Sequence, residues 1–178
     1  MKRIFGLFLA VIMMSSFLVG CTTKNEEKAV DVVDIKEIHS RVKEALGEDY
    51  YPDRELTIEE IENFTGLKEA DIESFIAEAP MMNVSVDTFI AIKAQEGKGD
   101  TVEAGFEKYR KYLLEDSVIY PMNIAKVHAS KIVRHGDYVF FLMIGKYDDR
   151  QEATEQERLE FAKGEIQKVE DTINKFFE

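Results

Sequence analysis

The amino-acid pattern predicts an α+β domain behind an N-terminal export segment. Three observations carry that reading. Several stretches with capping signals repeat their apolar residues every three or four positions, as amphipathic helices do. Others alternate, as half-buried strands do. The run from Tyr138 to Gly145 is apolar on both faces, so it needs cover on both sides of a sheet. The expected architecture is a small three-stranded, mainly antiparallel sheet in the order 1-3-2. This is a split β-α-β arrangement covered by helices and preceded by an N-terminal signal helix.

Residues 1–20 follow the plan of an export signal. Lys2 and Arg3 supply the positive start, and Ile4 to Val19 is a sixteen-residue stretch without a charge. That is short of the roughly 20 residues needed to span a bilayer. Leu18, Val19, Gly20 and Cys21 resemble the bacterial lipobox, in which a leucine and a small residue precede a cysteine. The resemblance implies peptidase recognition through Leu18, Val19 and Gly20, a diacylglyceryl thioether on Cys21, and Cys21 as the first mature residue. Cys21 is the only cysteine, so it has no disulfide partner within the chain. An ordinary secretory signal and an uncleaved anchor are the competing readings. Residues 21–33 then form the lipidated cysteine and a polar tether.

Residues 34–178 read as one domain. Asp34 caps a helix with Ile35, Ile38, Val42 and Leu46 on its apolar stripe, stopped by Gly47. Tyr50, Tyr51 and Pro52 mark an extended segment. Thr57 and Glu60 form a capping box for a short helix ending at Gly66, and Ile72, Phe75 and Ile76 suggest another from about Glu69 to Glu78. Alternation from Val84 to Lys93 predicts the first strand. Gly97 and Gly99 make a turn, after which Asp100 and Glu103 resemble a capping box for a helix ending near Ser117.

Residues 122–129 suit either a helical turn or a strand, with a short helical or irregular stretch favoured. A second strand from Ser130 to Arg134 turns at Gly136 into the third, Tyr138 to Gly145. The last element, about 154–177, opens on Thr154 and Glu157 and carries Leu159, Ala162, Ile166, Val169 and Ile173. Under three heptads is a weak coiled-coil signal, so this helix is expected to pack on the domain, with a coiled-coil or dimer helix as the alternative.

Charge excludes some partners. The chain carries a net charge of −12, and loss of residues 1–20 removes Lys2 and Arg3 and no acid, giving −14 for the remaining 158 residues. Nucleic acid binding requires a basic patch and is not expected. Anionic lipid headgroups would repel such a domain, leaving acyl chains to attach it.

Chemical motifs are sparse. His39, His128 and His135 form no HxxxH or HExxH pair. Gly97, Lys98, Gly99 and Asp100 lack the spacing and the Ser or Thr of a phosphate loop, and read as a strand-to-helix turn. Asp137, Asp148 and Asp149 lie at strand ends without EF-hand spacing and read as solvated loop charges. No metal or other cofactor is expected. Tyr50, Tyr51, Tyr120 and Tyr147, near prolines and strand ends, are candidates for a recognition surface; burial at element ends is the alternative.

From about 46 to 145 the chain resembles a family of small Gram-positive lipoproteins, domain-of-unknown-function family 4358. The resemblance rests on the short-helix region ending near Phe75 and Ile76 and the strand holding Phe89 and Lys93. It continues through the helix with Tyr109 and Arg110, the Tyr120–Pro121 segment, and Gly136, Asp137, Tyr138, Val139 and Phe140. It implies an α+β fold and no particular activity. The expected protein is therefore a membrane-anchored, extracytoplasmic monomer attached through Cys21. It would bind an envelope protein or wall component without catalysis. The alternative is an envelope enzyme or accessory subunit acting on wall polymer or peptide. A solute receptor for a transporter is disfavoured by size.

Overall fold

The computed structural model describes residues 33–82 and 84–178. Leu18, Val19, Gly20, Cys21, the expected signal helix and nearly all of the tether lie outside that range.

Local capping starts several helices where the sequence predicts. In α1 (Ile35–Leu46), the Asp34 side chain accepts from the Lys36 amide at 2.8 Å. In α2 (Ile58–Thr65) and α5 (Glu155–Asn174), Thr57 with Glu60 and Thr154 with Glu157 form complete capping boxes. Ambiguous residues 122–129 resolve into a short 3-10 turn, Pro121–Asn123, followed by α4 (Ile124–Ala129).

The sheet departs from expectation: it has five strands rather than three. They are β1 (Arg54–Glu55), β2 (Ile72–Ala79), β3 (Thr88–Ala94), β4 (Lys131–His135) and β5 (Tyr138–Met143). Their order is β1-β2-β3-β5-β4, with every neighbouring pair antiparallel. The expected 1-3-2 trio is present as β3-β5-β4, but two further strands lie beyond β3 and make it the middle strand. β2 occupies the segment whose apolar spacing suggests a helix. A bulge between Ile72 and Ser74 explains this. The extra residue lets Ile72 and Phe75 face the same side although three positions apart, so a bulged strand imitates helical spacing. β3 begins at Thr88 rather than Val84, because residues 84–87 form a loop.

α3 (Gly99–Glu115) also starts differently. Asp100 and Glu103 do not form a capping box; both carboxylates take Arg134 on β4, Glu103 at 2.9 Å. The orphan amides at the helix start are met from the β4–β5 hairpin. Asp137 accepts from the Gly97 and Gly99 amides, each at 3.0 Å. Gly99 is required here, since an added Cβ would lie 2.3 Å from the Gly136 carbonyl oxygen.

Alternation along β3 and β5 divides the apolar interior into two layers. Ile90, Ile92, Val139, Phe141 and Met143 meet Val102, Phe106 and Tyr109 of α3 and Ile61 of α2. On the opposite face, Phe89, Ala91, Phe140 and Leu142 meet Ile38 and Val42 of α1 and Ile166, Val169 and Ile173 of α5. The C-terminal helix thus packs on the sheet.

Candidate functional site

The two ends of the sheet are built differently. At one end lie the β4–β5 hairpin, the start of α3 and the Asp137 cap. The other end gathers the β2–β3 loop, the α3–α4 segment and the chain following β5 around a buried ion pair. Asp87 is fully buried and Lys126 is 3% exposed. Lys126 Nζ donates to Asp87 Oδ1 and to the Gly145 carbonyl oxygen, each at 2.6 Å. It also lies 3.3 Å from the centroid of the Tyr147 ring, and 5.6 Å from that of Tyr51. The second oxygen of Asp87 accepts from the Tyr147 hydroxyl and from Ser85 Oγ, both at 2.7 Å. The Asp87 amide donates back to Ser85 Oγ at 3.2 Å.

Local sequence places these groups. Asp87 immediately precedes β3, whose next five residues are fixed in the sheet by burial. Lys126 sits on α4, which the Tyr120–Pro121 turn directs across the end of the sheet. Gly145, at φ +114°, turns the chain after β5 so that its carbonyl reaches the lysine. Burying this pair is tolerable because Lys126 has two oxygen acceptors and an aromatic face, and the Asp87 carboxylate accepts three hydrogen bonds.

The electrostatics are those of a structural tie. Burial draws the Lys126 ammonium below the usual lysine range, and the Asp87 charge beside it opposes that shift. Burial also pushes the Tyr147 phenol well above its ordinary value, reinforced by the Asp87 charge and hydrogen bond. Both charges are occupied by protein partners, and Tyr147 is shifted away from ready proton release. Neighbouring Asn123 extends the tie. Its Nδ2 donates to the Val84 carbonyl at 2.8 Å, joining the α3–α4 segment to the β2–β3 loop. Its Oδ1 is buried without a partner.

The tie carries an exposed apolar surface. Of the ten exposed large apolar side chains among the described residues, six lie on the two joined segments and a seventh, Ile124, opens α4. Met81 and Met82 are each 71% exposed, Met122 is 66% exposed, and Val118 is fully exposed. Beyond Met122, a groove of about 750 Å³ runs between α4 and the start of α5, lined by Ile124, Ala125, His128, Arg158 and Leu159.

The structure distributes the four candidate tyrosines. Tyr51 and Tyr147 come together, ring centroids 5.7 Å apart, beside Lys126. Tyr120 is exposed on the α3–α4 segment of the same end. Tyr50 turns away beneath α1, where its hydroxyl donates to Glu78 at 2.6 Å. Glu78 also accepts from His39 at 3.1 Å and Lys43 at 3.4 Å. Burial raises the Glu78 carboxyl, but Tyr50, His39 and Lys43 together outweigh it and hold it below the ordinary range. His135 bonds Asn174 at 2.9 Å and stacks on Phe177 at 4.1 Å. His128 lines the groove. Asp148 is held by Arg150 and falls to about 2. Among the described residues, no group of three His, Cys, Asp or Glu side chains is placed to hold a metal.

No sequence motif joins Ser85, Asp87, Asn123 and Lys126, which only the fold brings together. One signal is present: Asp87 and Lys126 are lone charges of opposite sign, each inside an otherwise uncharged run.

The fold and this site define an α+β domain with two layers of helices on an antiparallel sheet and a sealed lysine–aspartate tie at one end. The chain belongs to the family described as Domain of unknown function (DUF4358), which matches residues 47–144. The matched segment holds the sheet, α2, α3, α4 and the Lys126–Asp87 pair, while Gly145 and Tyr147, which complete the tie, follow it. α1 and α5, the helices of the second layer, lie outside it. No curated protein and no solved structure matches the chain.

Proposed function

We propose that this protein is a lipid-anchored, extracytoplasmic binding module that engages a component of the cell envelope through the Lys126 end of its sheet. Cys21 in its lipobox-like setting supports the anchor. Two acyl chains would hold the protein more firmly than the marginal binding of one, at about 0.8 kcal/mol per buried methylene. No helix among the described residues is long and apolar enough to cross a membrane.

The observation that carries the binding role is the sealed tie itself. It fixes three segments at one end of the sheet while its own reactive groups are occupied by one another. Such a centre serves as a rigid mount for neighbouring side chains, and confinement to the membrane raises their effective concentration toward envelope partners.

The test combines attachment and turnover. Cells expressing the full chain are given labelled fatty acid, and wild type is compared with Cys21→Ala. Label and membrane association are expected in the wild type and lost in the variant. Persistent labelling of Cys21→Ala overturns the anchor. Release of product from isolated wall polymer by the purified chain overturns the non-enzymatic role.

A further inference from the structure

We infer that the exposed apolar end of the sheet docks an amphipathic protein segment bordered by lysine and arginine. This proposal rests on the binding role above and names its surface and partner chemistry. The surface is continuous through bonded contacts. Asn123 ties the α3–α4 segment to Val84, and Lys126 ties α4 to Asp87 and Gly145. Met82, Val84, Tyr120, Met122 and Ile124 are exposed on those segments. Large exposed apolar surface bounded by polar residues is characteristic of interaction sites. The groove between α4 and α5 continues from Met122 and Ile124 and gives a second depth for apolar side chains.

Charge selects the occupant. Pro80–Val86 and Ser117–Ala125 contain no charged residue. Asp87 and Lys126 neutralise each other beneath them. Around this uncharged surface the exposed charges include Asp53, bonded to the Met81 amide at 2.6 Å, and Asp116 at the end of α3. Asp49, bonded to the exposed Tyr51, adds a third acid. Arg158 in the groove directs both terminal nitrogens to the carbonyls of Asp148 and Arg150. Exposed Lys146 and half-buried Arg158 lie on the groove side beside Met122, so the acidic part of the rim is the side formed by Asp49, Asp53 and Asp116, on a chain whose net charge is −12. A second copy would bring like rims together, and an anionic bilayer would meet the same repulsion. A protein segment with an apolar face and basic flanks satisfies both the surface and its rim.

The experiment uses the purified full chain in neutral detergent and an amphipathic leucine–lysine peptide as probe, read by fluorescence anisotropy. A leucine–glutamate peptide, anionic vesicles and the chain itself are the competing occupants. The leucine–lysine peptide is expected to bind about tenfold or more tightly than its acidic counterpart, equivalent to about 1.4 kcal/mol. The charge-neutral double variant Met122→Gln with Ile124→Gln is expected to lose that binding, whereas Tyr112→Gln, an exposed site on α3, retains it. Equal binding by the wild type and the double variant overturns the surface. Preference for the acidic peptide, for vesicles, or for self-association that the double variant abolishes overturns the partner chemistry but leaves a binding module. Absence of all binding overturns both readings. Both substituted side chains are exposed, and circular dichroism and a thermal midpoint confirm the fold of each variant.

Discussion

An aspartate organises each end of the sheet, but in opposite ways. Asp137 sits half-buried in a hairpin and accepts backbone amides of Gly97 and Gly99. Around it the polar groups pair at the surface: Arg134 with Asp100 and Glu103, and Lys98 with Asp71 at 3.4 Å. Asp87 is sealed, accepts a lysine, a phenol and a serine, and supports exposed methionines and aliphatic side chains. At the first end the carboxylate completes a helix start that water would otherwise satisfy. At the second it holds segments whose apolar side chains project outward. That pairing of a costly buried charge with exposed apolar surface is what distinguishes the candidate binding end from an ordinary solvated one.

The largest effect that breaks this comparison comes from Lys126→Met. It leaves Asp87 buried without its cation and is expected to cost about 3–5 kcal/mol in urea unfolding of the full chain. Lys98→Ala, which removes the exposed ion pair with Asp71 at the other end, is expected to cost about 1 kcal/mol or less. Equal losses at the two ends would remove the distinction between them. Gly99→Ala comes next. The new Cβ must displace the Gly136 carbonyl, so about 1–3 kcal/mol is expected from the same unfolding measurement.

A smaller effect separates the ends by pH. The folded Tyr147 phenol lies above its unfolded value of about 10. Its contribution is fully present below pH about 10 and is lost as pH rises toward the folded value, because the unfolded chain releases the proton first. Lys126, drawn down by burial, acts in the opposite sense as pH approaches the ordinary lysine range. The difference between wild type and Tyr147→Phe isolates the phenol: alkaline loss of stability is expected to be shallower in the variant. A steeper loss in the variant contradicts the assigned role. The smallest stability effect belongs to Met122→Gln with Ile124→Gln, within about 0.5 kcal/mol for each exposed site. Its consequence is expected in binding instead.

The helices were legible where local chemistry defined them. Asp34, the Thr57–Glu60 box and the Thr154–Glu157 box each bond their own helix start, so a short window contains the whole signal. The hairpin at Gly136 was legible for the same reason, since a positive φ at a two-residue turn favours glycine. β2 was not legible because its bulge put Ile72 and Phe75 on one face at helical spacing. The start of α3 misled in the reverse direction. Asp100 and Glu103 have capping-box spacing, but Arg134, more than thirty residues away, takes both carboxylates. The candidate site was hidden by a similar separation. Lys126 and Asp87 are 39 positions apart, and only the fold reveals that two isolated opposite charges meet.

The central claim is tested most directly by photocrosslinking in intact cells. A photoreactive amino acid replaces Met122 in one full-length variant and Lys98 in another, both exposed side chains at opposite ends of the sheet. The account predicts a discrete protein adduct from position 122, lost when Ile124→Gln and Met82→Gln are added, and none from position 98. Equal adducts from both positions, or an adduct from position 98 alone, would contradict it.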